Sequence, residues 1–404
     1  MANTFLTPTM VTRAALKVLH NNLRFAKNVN RQYDSQFANE GLSGGKIGPT
    51  LKIRLPNKYA VRTGATISTQ EQAESSVTLT VATQKGVDMY WTSADMTLSV
   101  QDFTKRFIEP AMARLASQID YDGLSLFSDI YNTVGTAGTT PSSALVYLQA
   151  GQKLNEFAAP MDQRSVVFNP GAQAATINGL AGLFNNSTKI SDQYDSGEMG
   201  SALGFKFNMD QNVQNMTTGS RLTTDTIVTA ETVTTQGQAT INLSGGTTTA
   251  TIVAGDVFTI ANVYAVNPET GVSTGALQQF VCTELNTASG GAWTSVKVSP
   301  EFRSTGAYKT IDSLPATTKA ITFVGSASTS YPQNLAFHRD AFTLATADLD
   351  LPQGVDFKAR EVFDGISLRL IRAYDVNNDL FVTRLDCLYG WKTLRANQAC
   401  RIVG

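Results

Sequence analysis

TIVTAETVTTQGQATINLSGG, residues 226–246, belongs to a block spanning 219–331 that is rich in Thr and almost free of helix signal. Short strands are predicted in this block at 226–233, 239–243, 257–260, 279–284, 295–298 and 321–324. Gly245-Gly246, Asn267-Pro268 and Gly290-Gly291 punctuate them, so the block reads as an all-β sandwich or barrel. The segments on either side look like halves of one α/β domain, which makes the block an insertion. A catalytic core seldom tolerates an insertion of this size unless it lies far from the chemistry.

On the upstream side, Thr140-Pro141 starts a helix over 142–157. An apolar strand at 165–168 follows, then a helix opening at Pro170 and ending near Phe184, a loop rich in Asn, Ser and Gly, and strand-like 205–209. Downstream, the chain returns through a short helix-like start to a hairpin, 366–374 and 380–388, around a turn at 375–379. The strongest helical signal lies at 101–132, where Phe103, Phe107, Ile108, Met112, Leu115, Ile119, Leu124 and Phe127 recur at three-to-four spacing and Asp102 complements the N-terminus. Such a helix would span on the order of 40 Å, a spine. Pro110, lacking an amide donor, kinks it or restarts it after Glu109.

Between 47 and 94 the period drops to two. Leu51, Ile53 and Leu55 alternate with Lys52 and Arg54, and Val77, Leu79 and Val81 alternate with Thr78, Thr80 and Thr83. Two extended strands are expected, joined by polar text such as TQEQAESS (69–76) that builds no core. The apolar row of this ribbon is therefore expected to be covered by another element or another subunit. Ahead of it, Pro8 flanked by Thr7 and Thr9 starts a helix with Val11, Ala15, Leu16, Val18, Leu19 and Leu23 at helical spacing, while Arg13, Lys17, Arg24 and Lys27 stay polar. The stripe suits docking on a neighbour, and the cations suit phosphate or acidic groups.

A length of 404 residues predicts two to three domains, and 42% hydrophobic residues suffice for buried cores. The net charge is −1, but residues 1–62 hold ten Lys and Arg against Asp34 and Glu40, a basic arm of +8 that leaves −9 elsewhere. Cys282, Cys387 and Cys400 are odd in number and lack CxxC spacing, which argues against a disulfide framework and fits a reducing compartment. The start lacks a basic, then apolar, leader, and no run of 18 apolar residues occurs, so neither secretion nor membrane spanning is expected. The sequons at Asn185 and Asn215 then carry no weight.

Motifs for chemistry are weak. Gly41-Leu42-Ser43-Gly44-Gly45-Lys46-Ile47 approaches a phosphate loop, yet it is one residue short between glycines and has Ile47 where Ser or Thr would hold magnesium. Asp375-Val376-Asn377-Asn378-Asp379 starts like a calcium loop with Asp386 at the twelfth place, but Leu380 occupies the sharp-turn Gly position, so a hairpin turn is expected. Asp120 and Asp122, flanked by Ile119 and Leu124, suit packing or subunit contacts better than a metal. His20 and His338 are the only histidines and neither has a nucleophile in recognisable context, while Cys387 in its apolar surroundings reads as a buried small hydrophobe. No catalytic, cofactor or metal residue is expected.

Several stretches resemble one family: Asn3-Thr4-Phe5-Leu6-Thr7-Pro8; Val87-Asp88-Met89 leading into Thr92-Ser93-Ala94; Pro110-Ala111-Met112-Ala113-Arg114-Leu115-Ala116 with Ile119-Asp120-Tyr121-Asp122-Gly123; Met199-Gly200 to Phe205 with Asp210-Gln211-Asn212; and Tyr389-Gly390-Trp391 with Arg395. These, and the order of parts, are similar to the major coat proteins of short-tailed double-stranded DNA phages. The similarity covers most of the chain outside the insertion, where architecture carries it. Family members commonly have Pro-Glu after the arginine; this chain has Ala396-Asn397.

The resemblance implies an α+β fold of the tailed-phage major capsid type (Hong Kong ninety-seven-type) with an inserted, telokin-like all-β domain. Its implied parts are an N-terminal arm (1–40), a ribbon loop (41–98), the spine of a peripheral domain (99–140), the first part of an axial domain (141–218), the insertion (219–331) and the return of both domains (332–404). It implies a protein that self-assembles, as hexamers and pentamers, into an icosahedral shell around double-stranded DNA by way of a scaffolded procapsid. Scaffolding protein, portal protein and non-specifically bound DNA on the inner surface would be its partners, with no cofactor and no membrane. Its place would be the virion capsid, after assembly in the host cytoplasm. Leu51, Ile53, Leu79 and Val81 are then expected subunit contacts, and Arg13, Lys17, Arg24, Lys27 and Arg31 are expected to face scaffold or DNA. A β-rich fibre or adhesin-type attachment protein is the alternative, but it calls for repeats or trimer-forming heptads, and neither is found. An enzyme ranks third.

Overall fold

The computed structural model describes residues 8–33, 48–59, 61, 64–67, 69, 74–92, 107–180, 199–221, 227–355 and 357–404. The expectations for Asn3 to Thr7, for Gly41 to Ile47, for Ser93, Ala94, Asp102 and Phe103, and for the loop after Phe184 lie outside these residues. The chain forms two compact units, Met1–Arg54, Ser76–Gly123, Phe342–Lys392 and Leu55–Ser75, Leu124–Ala341, Thr393–Gly404. The fold is α+β.

In the first unit, a helix Pro8–Asn22 buries Val11, Ala15, Leu16 and Leu19 against the hairpin of strands Phe357–Phe363 and Ile366–Asp375. The latter strand pairs with Leu380–Thr393, so the predicted hairpin is present and longer than expected. The ribbon differs from expectation. Thr50–Arg54 pairs with Ser76–Thr80 as predicted, with Leu51 opposite Leu79 and Ile53 opposite Val77. A third strand, Thr83–Thr92, leaves the ribbon and pairs along Leu380–Tyr389. Its period-two signal is broken by Gly86, and its partner lies some three hundred residues downstream, so no local pattern announces it.

At its C-terminal end the spine stops sooner than expected, and the expectation for 101–106 lies outside the described residues. The α-helix is Glu109–Leu124, with Pro110 in its first turn, where a missing amide costs nothing. This α-helical stretch, about 24 Å long, gives way to a 3-10 turn, Ser125–Asp129.

In the second unit, helices Ala144–Glu156 and Pro170–Leu180 and the strand Arg164–Phe168 match expectation within two residues where described. Their sheet runs in the order Thr133–Val134, Ala399–Val403, Ser330–His338, Arg164–Phe168, Phe205–Met209, Ser201–Ala202. Four of these strands, Thr133–Val134, Ser201–Ala202, Ser330–His338 and Ala399–Val403, went unpredicted, and the helix-like start expected here is only a 3-10 turn, Arg339–Ala341. Central strands buried on both faces lack alternation; Ala399–Val403 is buried at every residue. Tyr147, Leu154, Val166, Phe168, Phe207 and Ile402 form the core beneath the helices.

The inserted block is a barrel. Its six strands run in the order Ile321–Phe323, Val257–Val266, Ser273–Cys282, Ala292–Phe302, Gln238–Ser244, Val228–Thr229. A bridge between Val228 and Ala320, with Thr229 N–H donating to the Lys319 carbonyl at 2.9 Å, closes the ring and removes the free edges. All six predicted strands occur, most of them longer than predicted. Trp293, Phe258, Phe280, Phe302 and Ile241 are fully buried inside, and Trp293 Nε1 donates to the Ala250 carbonyl at 3.0 Å.

Candidate assembly surfaces

Two of the motif stretches, far apart in sequence, pack on one another in the first unit. Asp120 is 1% exposed, and its carboxylate accepts the backbone N–H groups of Arg24, Phe25 (3.2 Å) and Ala26 (2.9 Å). These amides lead into the 3-10 turn Ala26–Asn28, and the carboxylate plays the part an anion plays at a helix N-terminus. Asp122 accepts from the Tyr389 hydroxyl at 2.6 Å, Lys85 Nζ at 2.6 Å and Gln118 at 3.0 Å. Partial burial works to raise its pKa, but these donors together hold the carboxyl below its usual range. Gly123 is required by packing, since a Cβ there would sit 2.6 Å from the Trp391 ring, which lies 5.3 Å from Phe25.

The arm helix is docked within its own unit, and its cations are unequal. Arg13 pairs with Glu361 at 3.1 Å, and Arg31 pairs with Asp364 at 2.7 Å. Asp364 also bonds His20 Nε2 at 2.8 Å, and Phe363 packs edge-on against that imidazole. Burial pushes the Asp364 carboxyl up, yet His20 and Arg31 outweigh it and the net shift is down. A depressed native pKa gives stability that is present above the unfolded carboxylate value, about 4, and is lost as pH falls through the native value. Lys27 reaches the Asn21 carbonyl at 3.2 Å. Lys17 and Arg24 project as exposed side chains. The expected row of five free cations is therefore reduced, because carboxylates of the facing hairpin neutralise two of them.

The ribbon row also differs from expectation. Leu79 is 0%, Val81 3% and Ile53 4% exposed, with Leu51 half-buried, so these side chains are covered within the chain and are not left for a neighbour. The backbone at Gly390 packs against the ribbon backbone at Thr80 and Val81, where any Cβ would overlap the Thr80 carbonyl. The opposite row, Thr50, Lys52, Arg54, Ser76, Thr78 and Thr80, is exposed. In the second unit, Tyr59 (64%), Val61 (98%) and Ile67 (78%) form an exposed apolar stretch of the ribbon loop.

The profile of the family described as "P22 coat protein - gene protein 5" matches residues 1–402 of this chain. The chain belongs to that coat protein family. It is a structural protein of the bacteriophage capsid. Among solved structures, it is similar to "Mycobacterium phage Che8" (13% identity, TM-score 0.45, covering 94% of this chain and 90% of the other) and to "Capsid of Ralstonia phage GP4" (8%, 0.47, 93% and 86%). A shorter match, "CUS-3 coat protein I-domain", has 22% identity and a TM-score of 0.20, and covers 25% of this chain and 96% of that one. No sequence among the curated proteins matches.

In the coat protein the residues considered for chemistry serve packing. His338 is 4% exposed and its Nδ1 accepts the Asp340 N–H at 3.2 Å. All three cysteines are buried, and burial pushes the Cys387 and Cys400 thiols up to about 12, far from a reactive thiolate. Asp375–Asp379 is the hairpin turn, in which Asn378 bonds Asp375 at 2.8 Å and the Tyr374 hydroxyl bonds Asp379 at 2.8 Å. Asp386 is fully buried and accepts from Arg369 at 2.7 and 3.0 Å, Arg384 at 2.8 Å and Gln84 at 2.6 Å. Sequence reading missed that cluster because its members sit on three strands. One signal was available: Gly86 lies opposite Asp386, where a Cβ would be 2.7 Å from the Asp386 Cβ. Ala396-Asn397, the departure after Arg395, forms a 3-10 turn with Gln398, and Asn397 Nδ2 donates to the Phe157 carbonyl at 3.3 Å.

Proposed function

We propose that this coat protein assembles, as hexamers and pentamers, into a closed icosahedral shell by way of a scaffolded procapsid that is later filled with double-stranded DNA, and that it performs no catalysis. The observation that carries this reading is the family match over residues 1–402. It also displaces the attachment-protein alternative. Assembly in the host cytoplasm around a portal belongs to the same reading. Subunit contacts would fall on the exposed ribbon row with Lys52 and Arg54, since the Leu51, Ile53, Leu79 and Val81 row is already largely covered.

The arm would meet the scaffold, or DNA, on the inner side through Lys17 and Arg24. Reversing Arg13 or Arg31 is a poor test, because it would also break the pairs with Glu361 and Asp364. The double variant Lys17→Glu, Arg24→Glu should leave a folded monomer and lower the scaffold-dependent particle yield or the DNA content. The deficit should shrink as salt rises, given a Debye length of roughly 8 Å at physiological ionic strength. Unchanged yield, scaffold content and DNA content across a salt series would remove any role for these charges.

The six parts set out from the sequence are proposed as domains, with the barrel as a unit of its own. Its interior, from Ile227 to Phe323, forms a single cluster drawn only from the insertion. The excised fragment 219–331 should give a dispersed amide spectrum. A collapsed spectrum would mean that the barrel needs its parent.

A further inference from the structure

The two crossings between sheet and barrel are clasped together. Thr218 N–H donates to the Thr329 carbonyl at 3.1 Å and Ser328 N–H to the Gly219 carbonyl at 3.0 Å, while Asn215–Thr217 pairs with the start of Ser330–His338. Asp256 accepts Arg221 Nη1 at 2.7 Å and the N–H groups of Gly219 (3.1 Å) and Val253 (3.0 Å). The Arg221 and Asp256 side chains are 4% and 0% exposed. Arg221 also lies 4.2 Å over the Phe323 ring and donates to the Val324 carbonyl at 3.2 Å. The outgoing and returning chains thus form one rigid neck.

The neck is met by the strand Ala399–Val403. Arg401, the middle residue of Ala399–Val403, is 2% exposed, and its Nη2 donates to the Gly255 carbonyl at the base of the barrel at 2.8 Å. Its Nη1 lies 3.4 Å from Gln333 Oε1 and 3.6 Å from Met216 Sδ, both on the sheet side. Among the described residues no carboxylate bonds this guanidinium directly. Burial lowers its pKa to about 10, so it is still charged at neutral pH. A buried cation held by neutral acceptors is costly to keep and contributes geometry more than stability. A second clamp stands beside it. Thr133, paired in register with Arg401, donates its N–H to Gln279 Oε1 of the barrel at 2.9 Å, and Gln279 Nε2 returns a bond to the Thr133 carbonyl at 2.9 Å.

We infer that Arg401 is the positioning residue that pins the barrel to the sheet, so that the barrel seats only when the C-terminal strand enters between Thr133–Val134 and Ser330–His338. The strand Ala399–Val403 follows all of these elements in the sequence, so seating waits until it has been synthesised. This goes beyond the shell-forming role, but it rests on the barrel folding as its own unit. Chains that stop short of Arg401 would carry a folded but unseated barrel, a poor candidate for a shell lattice.

Pulsed amide hydrogen exchange during refolding of the full chain tests the order. Barrel amides such as Ile241, Phe258 and Val296 should become protected first, and the Thr133 and Arg401 amides together and later. Protection of Thr133 ahead of Arg401 would overturn the inference. Late protection of the barrel amides would instead sink the independent-barrel reading, leaving the order of Thr133 and Arg401 still readable. In the native state, Arg401→Met should lower Thr133 protection by roughly tenfold or more while Ile241 and Val166 stay protected, and Arg401→Lys should restore part of it. No change at Thr133, or an equal loss throughout barrel and sheet, would assign Arg401 a merely structural role. Should Arg401→Met fail to fold, the refolding order in the unaltered chain decides.

Discussion

Asp120→Ala should destabilise the coat protein by roughly 4 kcal/mol, because it leaves the N–H groups of Arg24, Phe25 and Ala26 without their acceptor in a buried site. Each orphaned buried donor costs about 1–3 kcal/mol, and a charged acceptor makes the stronger bonds. Asp120→Asn, which keeps one acceptor oxygen, should fall between. The effect should be local at first: the segment after the arm helix would lose hydrogen-exchange protection before the barrel does. Chemical denaturation of the purified monomer measures the loss. A change below about 1 kcal/mol would mean that the three amides find other acceptors, and that the contact between Asp120 and the arm is incidental.

The double variant Leu79→Asp, Val81→Asp should fail to give a folded monomer. Read from the sequence, this ribbon row awaits a neighbouring subunit, and the same change would leave a soluble chain that merely cannot assemble. In the structure the two side chains are 0% and 3% exposed before any neighbour arrives. Burying two carboxylates there would cost several kcal/mol each unless they protonate or the ribbon detaches. The expected result is insoluble protein, or a chain whose ribbon and adjoining sheet lose protection. The companion variant Lys52→Glu, Arg54→Glu, on the exposed row, should fold and alter assembly alone. Native circular dichroism and solubility for the Leu79, Val81 variant would restore the first reading.

The contrast between these two sites shows which parts of the fold were legible. The barrel could be read because its strands carry their own apolar rows and turn residues, and half of its neighbouring strand pairs are consecutive in sequence. Glu109–Leu124 could be read from its own three-to-four spacing, and Pro110 falls in the first turn of that α-helical stretch. Thr83–Thr92 and Ala399–Val403 could not. The first pairs across some three hundred residues, and the second is buried on both faces with no alternation to display. The site followed the same rule. Asp120, Asp122, Gly123, Tyr389 and Trp391 were recognisable as motif text, but their mutual packing is long-range. The arm's cations were visible as charge, whereas their neutralisation by Glu361 and Asp364 depended on where the hairpin docks.

Whether this chain builds a closed shell is decided by electron microscopy of the protein co-expressed with its phage's scaffolding protein. Closed, uniform, roughly spherical particles containing both proteins are expected, with aberrant or unassembled coat protein when the scaffold is omitted. Monomers alone, or rods and fibres, obtained with the scaffold present and the coat protein folded, would contradict it.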